Sequence, residues 1–220
     1  MRKKGKKWVI GADEAGRGPL AGPVTVGAIL APANFKITPP NSKLTLKDSK
    51  KLTKRQREEW FRWIKKNEKE GRIFCATANV SPKTIDRINI SRAADRAAAR
   101  AIQKVVRMSG LAERDIVIAY LDGGLYPKIP NSALALSTCI RADETIPVVS
   151  LASIAAKVTR DSLMDNLERK YPGYGFAINK GYGTRFHSNA IAKLGCSSVH
   201  RKTFLKLFRR KGGIAKAGSI

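Results

Sequence analysis

An α/β domain with a small, mostly helical and basic C-terminal appendage is the fold class this sequence predicts, and three observations predict it. Short β-branched runs bounded by glycine and proline alternate with longer stretches whose apolar residues recur at helical spacing. Two apolar runs, one opening at Trp8 and one at Ile116, deliver carboxylates at their ends: Asp13-Glu14 and Asp122. Beyond Tyr171-Pro172 the chain turns rich in glycine and aromatics, with basic residues interleaved. The expected division is therefore an α/β domain over 1–170, a helical region over 171–210 and a disordered basic tail over 211–220. A chain of 220 residues can bury the core this requires.

The elements follow in order. A first strand spans about 7–13, and a glycine turn leads to a second over 24–30, VTVGAIL, so the two form a hairpin. Residues 32–40 are loop. In the next stretch Leu52, Trp60, Phe61, Trp63 and Ile64 share a helical face, with the Trp60/Trp63 pair expected in the core; Thr53 and Gln56 suit a capping box, and Gly71 suits the stop. A third strand is expected over 72–80. Ser81-Pro82 opens a short helix, and an alanine-rich helix runs over 91–108 to end at Gly110. The run 116–121 is a strand, followed by a weaker one over 137–140. A long helix spans 149–170, with Ser150 as its cap. Two short helical patterns, 188–194 and 198–210, close the chain.

Charge narrows the partners. Lys and Arg number 43 against 17 Asp and Glu, for a net charge of +26. Such a field makes an anionic polymer the default partner, since released phosphate counterions drive binding. A membrane surface is the weaker alternative: no apolar run is long enough to span a bilayer and no basic amphipathic helix stands alone. The opening MRKKGKKWVIG lacks the apolar core of a signal peptide. Cys75, Cys139 and Cys196 form neither a disulfide framework nor a zinc pattern, which suits a reducing cytoplasm. With His187 and His200 the only histidines, a His-based metal site or a Ser-His-Asp triad is poorly supported; both read as surface or structural residues.

Side chains alternate along a strand, so Asp13 and Glu14 cannot both enter the core; at least one must meet solvent or a cation at the strand end. Taken alone, the pair reads as an acidic hairpin loop. With Asp122 and Asp143 also placed at or just beyond strand ends, four carboxylates become candidates for one cleft. Gathered acids repel unless cations neutralise them, and oxygen ligands of this hardness suit magnesium or manganese. Two such ions about 4 Å apart activate a water and stabilise a leaving oxygen in phosphodiester hydrolysis. A dinucleotide-binding loop at Gly16, Gly18 and Gly22 is excluded by spacing, by Pro19, and by two acids where a pyrophosphate needs positive potential. Gly16-Arg17-Gly18 instead suits close approach to a sugar or phosphate.

The order of motifs resembles the bacterial-type ribonuclease HII, or type 2 ribonuclease H, family. DEAGRGPLAGPV opens at Asp13; DSKKL at 48–52, LDG around Asp122, ASIAAKVTRD at 152–161, YPGYGF at 171–176, KGYGT at 180–184 and HRKTF at 200–204 follow, covering nearly the whole chain. The resemblance implies a ribonuclease H-like mixed β-sheet flanked by helices, with a catalytic domain over 1–170 and a C-terminal substrate-gripping region. It implies metal-dependent cleavage of the RNA strand of RNA/DNA hybrids, and cleavage 5′ of single ribonucleotides embedded in duplex DNA, leaving 3′-hydroxyl and 5′-phosphate ends. By motif match Asp13, Glu14, Asp122 and Asp143 are the catalytic metal ligands for two divalent ions, Mn2+ or Mg2+. Gly16, Arg17 and Gly18 read the 2′-hydroxyl at the junction, and Tyr182 packs on the neighbouring deoxyribose. Ser49, Lys50 and Lys51 are candidates for phosphate contacts. A monomer in the cytoplasm is implied; a sliding-clamp interaction is not readable from these residues. The sequence departs from the family at Asn179, where many relatives carry a histidine, and at Leu205-Lys206, where a proline-containing ending is usual.

Two other readings compete. A non-enzymatic basic RNA- or DNA-binding protein explains the charge but not acids that would weaken phosphate binding. A nuclease for structured RNA alone would cut all-RNA duplexes.

Overall fold

The computed structural model describes residues 7–40, 44–46, 49–130 and 132–210. The expected tail and Asp48 of the DSKKL motif lie outside the described residues.

The sheet is mixed, and its acidic strand is central. β1 (Trp8–Ala15) and β2 (Val24–Pro32) form the expected antiparallel hairpin, with Asp13 opposite Gly27. β3 (Phe74–Val80) extends it antiparallel on β2. β4 (Ile116–Asp122) runs parallel to the other side of β1, and β5 (Leu136–Cys139) runs parallel to β4, giving the order β3-β2-β1-β4-β5.

Each face of the sheet builds its own core. Ile10 and Ala12 of β1 point to one side, where α3 (Ile90–Ser109) buries a stripe of Ala93, Ala97 and Ala101. Small residues bring that helix close, and Gly110 in the left-handed region ends it as expected. Val9 points to the other side, toward Leu151, Ala152 and Ala155 of α5 (Pro147–Lys170) and toward α1 (Lys54–Lys69). There the approach is tighter still. A Cβ on Gly11 would lie 2.4 Å from the Val148 carbonyl carbon, and one on Gly27 would lie 2.3 Å from the Ala152 oxygen. Only glycine admits α5 this near the strands, and so near Asp13.

The expected capping box is formed: Gln56 N–H donates to the Thr53 hydroxyl at 3.2 Å, and Thr53 N–H to the Gln56 side chain at 2.9 Å. Trp60 and Ile64 are fully buried, whereas Trp63 is only partly covered and packs edge-on against Trp60, 5.4 Å between ring centres. α2 (Pro82–Ile88) starts from Ser81 as read. The long helix departs from expectation at its start. It begins at Pro147 with Ile146 as N-cap, because proline's fixed φ suits the first turn; Ser150 lies inside and donates to the Asp143 carbonyl at 2.5 Å. α4 (Ala142–Thr145) and α6 (Phe176–Asn179) are too short to leave a periodic signal.

α7 (Arg185–Leu194), capped by Thr184, and α8 (Lys202–Arg210) close the described chain. With α6 they surround a third apolar cluster of Leu20, Met164, Tyr174, Phe176, Ile191 and Leu205. That cluster is anchored to the turn after β1. Leu20 N–H donates to the Gly181 carbonyl at 2.8 Å, and Gly22 N–H to that of Val199 at 2.9 Å. Residues 171–210 thus form a wall beside the strand-end acids. None of the described helices is long and apolar enough to cross a membrane.

Candidate active site

Parallel pairing fixes where the acids meet. The register Ala12↔Leu121 leaves Asp13 and Asp122 as the next residues on adjacent strands, on the face covered by α5. Glu14 turns the opposite way, as alternation requires. A cleft opens over this edge, lined by Asp13, Glu14, Asp122 and the Gly16–Gly18 turn on one side and by Ser153, Lys157, Arg160 and Tyr182 on the other.

Asp13 is buried, Glu14 and Asp122 are partly buried, and the three are poorly compensated. Asp13 is 4 % exposed, and its Oδ1 accepts the Glu14 N–H at 2.6 Å. Burial pushes its carboxyl well above the usual carboxylate range; the neighbouring charges of Glu14 and Asp122 push the same way, and a hydrogen bond from Ser153 pulls back. Burial raises Glu14 too, opposed by Arg17 and reinforced by Asp122. Glu14 Oε1 lies 3.4 Å from Arg17 Nη1, while its buried Oε2 has no hydrogen-bond partner among the described residues. Asp122 Oδ1 accepts the Ala142 N–H at 2.8 Å, tying the end of β4 to α4, which carries Asp143. Asp143 is buried on that helix and is not a lining residue of the cleft. Among the described residues no three acids, histidines or cysteines converge closely enough to form a ready-made cage for a metal ion. Glu14 Oε2 and the mutual repulsion of three acids nevertheless fit a divalent cation, whose hard oxygen preference the donor set matches.

The glycine turn stands beside them. Gly16 holds φ +91°, a conformation glycine takes freely, and a Cβ there would collide with the Arg160 guanidinium. Arg17 spans the cleft mouth: Nη1 donates to the Gly124 carbonyl at 3.1 Å and Nη2 to Ser91 Oγ at 3.4 Å. Tyr182 is half exposed, its ring 3.6 Å from where a Gly18 Cβ would stand.

The two histidines hold Tyr182 from behind. The Tyr182 carbonyl faces His187 Nδ1 at 2.8 Å, so that nitrogen carries the proton; His187 Nε2 then accepts from His200 Nε2 at 3.1 Å, and His200 Nδ1 accepts the Ser197 N–H at 3.0 Å. Burial depresses both pKa values, that of His200 to about 4, so the chain of neutral rings persists at pH 7. The reading of both as structural residues agrees with this geometry.

The predicted phosphate contacts separate. Ser49 is buried in the cleft wall, sharing a hydrogen bond with Ser153 Oγ at 2.8 Å. Lys51 is exposed outside the cleft, 3.5 Å from Glu144. The Lys50 side chain lies outside the described residues. Sequence reasoning missed Ser153, Lys157, Arg160 and Arg201. The first three recur at 153, 157 and 160, a polar stripe on an otherwise buried helix, and that periodicity was the available signal.

Comparison with known proteins agrees with this arrangement. The family model described as Ribonuclease HII matches residues 10–207. Ribonuclease HII of Coxiella burnetii is 42% identical over 205 residues, covering 91% of this chain and 92% of that protein. That of Desulfitobacterium hafniense is 40% identical over 198 residues, covering 89% and 68%. Among solved structures, ribonuclease H2 from Pyrococcus horikoshii superposes with a TM-score of 0.67 at 25% identity, covering 92% of this chain and 98% of that one. The ribonuclease HII of Archaeoglobus fulgidus, solved as a complex with PCNA, gives 0.67 at 25%, covering 90% and 94%. Ribonuclease HIII solved with Mn2+ shares the fold at a TM-score of 0.66 and 20% identity, covering 94% and 71%.

Proposed function

The chain belongs to the ribonuclease HII family, a family of divalent-metal-dependent hydrolytic nucleases acting on nucleic acid, and we propose that it cuts the RNA strand of RNA/DNA hybrids and 5′ of single ribonucleotides in duplex DNA. The products are 3′-hydroxyl and 5′-phosphate ends. The observation that carries this reading is the buried Oε2 of Glu14, without a hydrogen-bond partner among the described residues, beside Asp13 and Asp122 in a chain whose net charge is +26. A protein built only to hold phosphates gains nothing from acids at the mouth of its cleft.

Asp13, Glu14 and Asp122 would hold the metal, with Asp143 joining from α4. Bound there, Mg2+ or Mn2+, as two ions, would activate a water and stabilise the leaving oxygen of the phosphodiester. The chain's own side chains do the rest. Ser153 orients Asp13, and Arg17 balances Glu14 while fixing the cleft mouth against Gly124. Gly16, Arg17 and Gly18 bring backbone within reach of a 2′-oxygen, and the exposed Tyr182 ring meets the neighbouring deoxyribose. Lys51 approaches a phosphate, Ser49 acts through Ser153, and residues 171–210 grip the duplex. We place the enzyme in the cytoplasm as a monomer; the Archaeoglobus neighbour's complex makes a sliding clamp a candidate partner.

The test uses a labelled DNA duplex holding one ribonucleotide, given magnesium, manganese or chelator, with Asp13→Asn alongside. One metal-dependent cut 5′ of the ribonucleotide, reduced by about 10³-fold or more in the variant, is expected. Tight binding without a cut under either metal would sink the nuclease reading.

A further inference from the structure

Two arginines are buried behind the glycine turn, and neither makes an ion pair among the described residues. Arg201 is fully buried and spends its three nitrogens on three main-chain carbonyls: Nε on Gly22 at 3.0 Å, Nη1 on Arg17 at 2.8 Å and Nη2 on Gly16 at 2.6 Å. Its own N–H donates to the Leu20 carbonyl at 2.7 Å. Arg160, 1 % exposed, holds the carbonyls of Pro23 and Ala21 at 3.0 and 3.3 Å and lies against Gly16. Burial lowers both pKa values, that of Arg201 to about 9, which leaves it charged at neutral pH. Burying a cation is costly, and here main-chain carbonyls offset much of the cost, helped at Arg201 by the Phe204 ring 5.1 Å away. An apolar residue would fill this space more cheaply if filling were all that was required.

The geometry of the peptide unit says what the arginine achieves. Among the described residues there is no cis peptide bond, so each carbonyl and the N–H of the following residue point in opposite directions. Arg201 draws the Gly16 and Arg17 carbonyls toward itself, which turns the N–H groups of Arg17 and Gly18 the other way. These two donors have no hydrogen-bond partner among the described residues, and both residues line the cleft. The geometry points to Arg201, backed by Arg160, as a positioning residue that aims the Arg17 and Gly18 backbone donors at a sugar 2′-oxygen of the substrate. This role rests on the proposed function and adds to it the residues that make the turn selective. Lysine cannot replace the fork: it keeps the charge but lacks the planar set of donors that reaches three carbonyls at once.

The experiment measures kcat and KM for the ribonucleotide-containing duplex with a working metal, and the inhibition constant of an unlabelled all-DNA duplex of the same sequence, in the parent and in Arg201→Lys. The variant is expected to lose about a hundredfold in kcat and to raise KM, while the DNA constant, set by phosphate contacts, stays within about twofold. A parallel weakening of both constants would mean a merely structural role and overturns the proposal. Retention of kcat and KM within about twofold by a folded variant overturns it too. If thermal melting shows Arg201→Lys unfolded, Arg160→Lys, which frees the same turn from its other side, is judged by the same constants. A parent that does not cut the duplex at all refutes the proposed function itself, and the positioning role falls with it.

Discussion

Two groups of buried charge face each other across the turn after β1, and they are satisfied to opposite degrees. On one side Asp13 and Glu14 are crowded, pushed toward protonation by burial, and leave Glu14 Oε2 with no hydrogen-bond partner among the described residues. On the other, Arg160 and Arg201 are buried more deeply still, yet the hydrogen bonds they make go to five carbonyls of residues 16–23. Burial is common to both, so burial does not tell a reacting group from a supporting one. Satisfaction does. A buried carboxylate oxygen with no partner is held ready for something that is not protein, whereas the Arg201 guanidinium, each of its nitrogens on a main-chain carbonyl, has finished its work within the chain.

The sharpest way to break this contrast is to remove one member of each group. Arg201→Met leaves three buried carbonyls without donors and should lower unfolding free energy by about 3 kcal/mol or more. Asp13→Asn, measured in chelator at pH 8, should leave stability unchanged or raise it, since it removes a crowded charge. Urea denaturation reads both, and equal losses would erase the distinction.

A second effect is smaller and depends on pH. Asp13 and Glu14 have folded-state pKa values raised above their ordinary ones, near 3.8 and 4.5. Their contribution to stability is therefore fully present below about pH 4 and is lost as pH rises through the raised values. Metal-free protein should weaken over that range, and millimolar Mn2+ or Mg2+ should restore a few degrees of melting temperature, more at pH 8 than at pH 5. Calorimetry that shows no metal-dependent shift in the parent, or an equal shift in Asp13→Asn, would separate the acids from any cation.

The smallest effect belongs to the surface. Lys51 is exposed and, among the described residues, bridged only to Glu144. Lys51→Ala should change stability by less than about 0.5 kcal/mol. It should lower the slope of log affinity against log salt by about one if Lys51 meets a phosphate, and leave it unchanged if not.

Much of this molecule was legible in its sequence because the responsible forces are local. Short β-branched apolar runs and helical patterns located the strands and long helices, Thr53 with Gln56 capped α1, and Gly110 ended α3. Strand-end acids announced themselves, because a carboxylate at the end of an apolar run has few cheap explanations. The long helix was placed but not its start: Pro147 outranked Ser150 as the first-turn signal. What tertiary structure alone decided is which distant groups meet. Asp13 and Asp122 are neighbours through parallel pairing of β1 with β4, a register that no local pattern encodes. Ser153 reaches Asp13 because Gly11 and Gly27 let α5 settle onto the strands. Arg201 reaches Gly16 across most of the chain's length, and there its charge is met by carbonyls that only the folded turn presents. Propensity acts over a few residues, whereas the satisfaction of buried charge is settled only when the whole chain has closed around it.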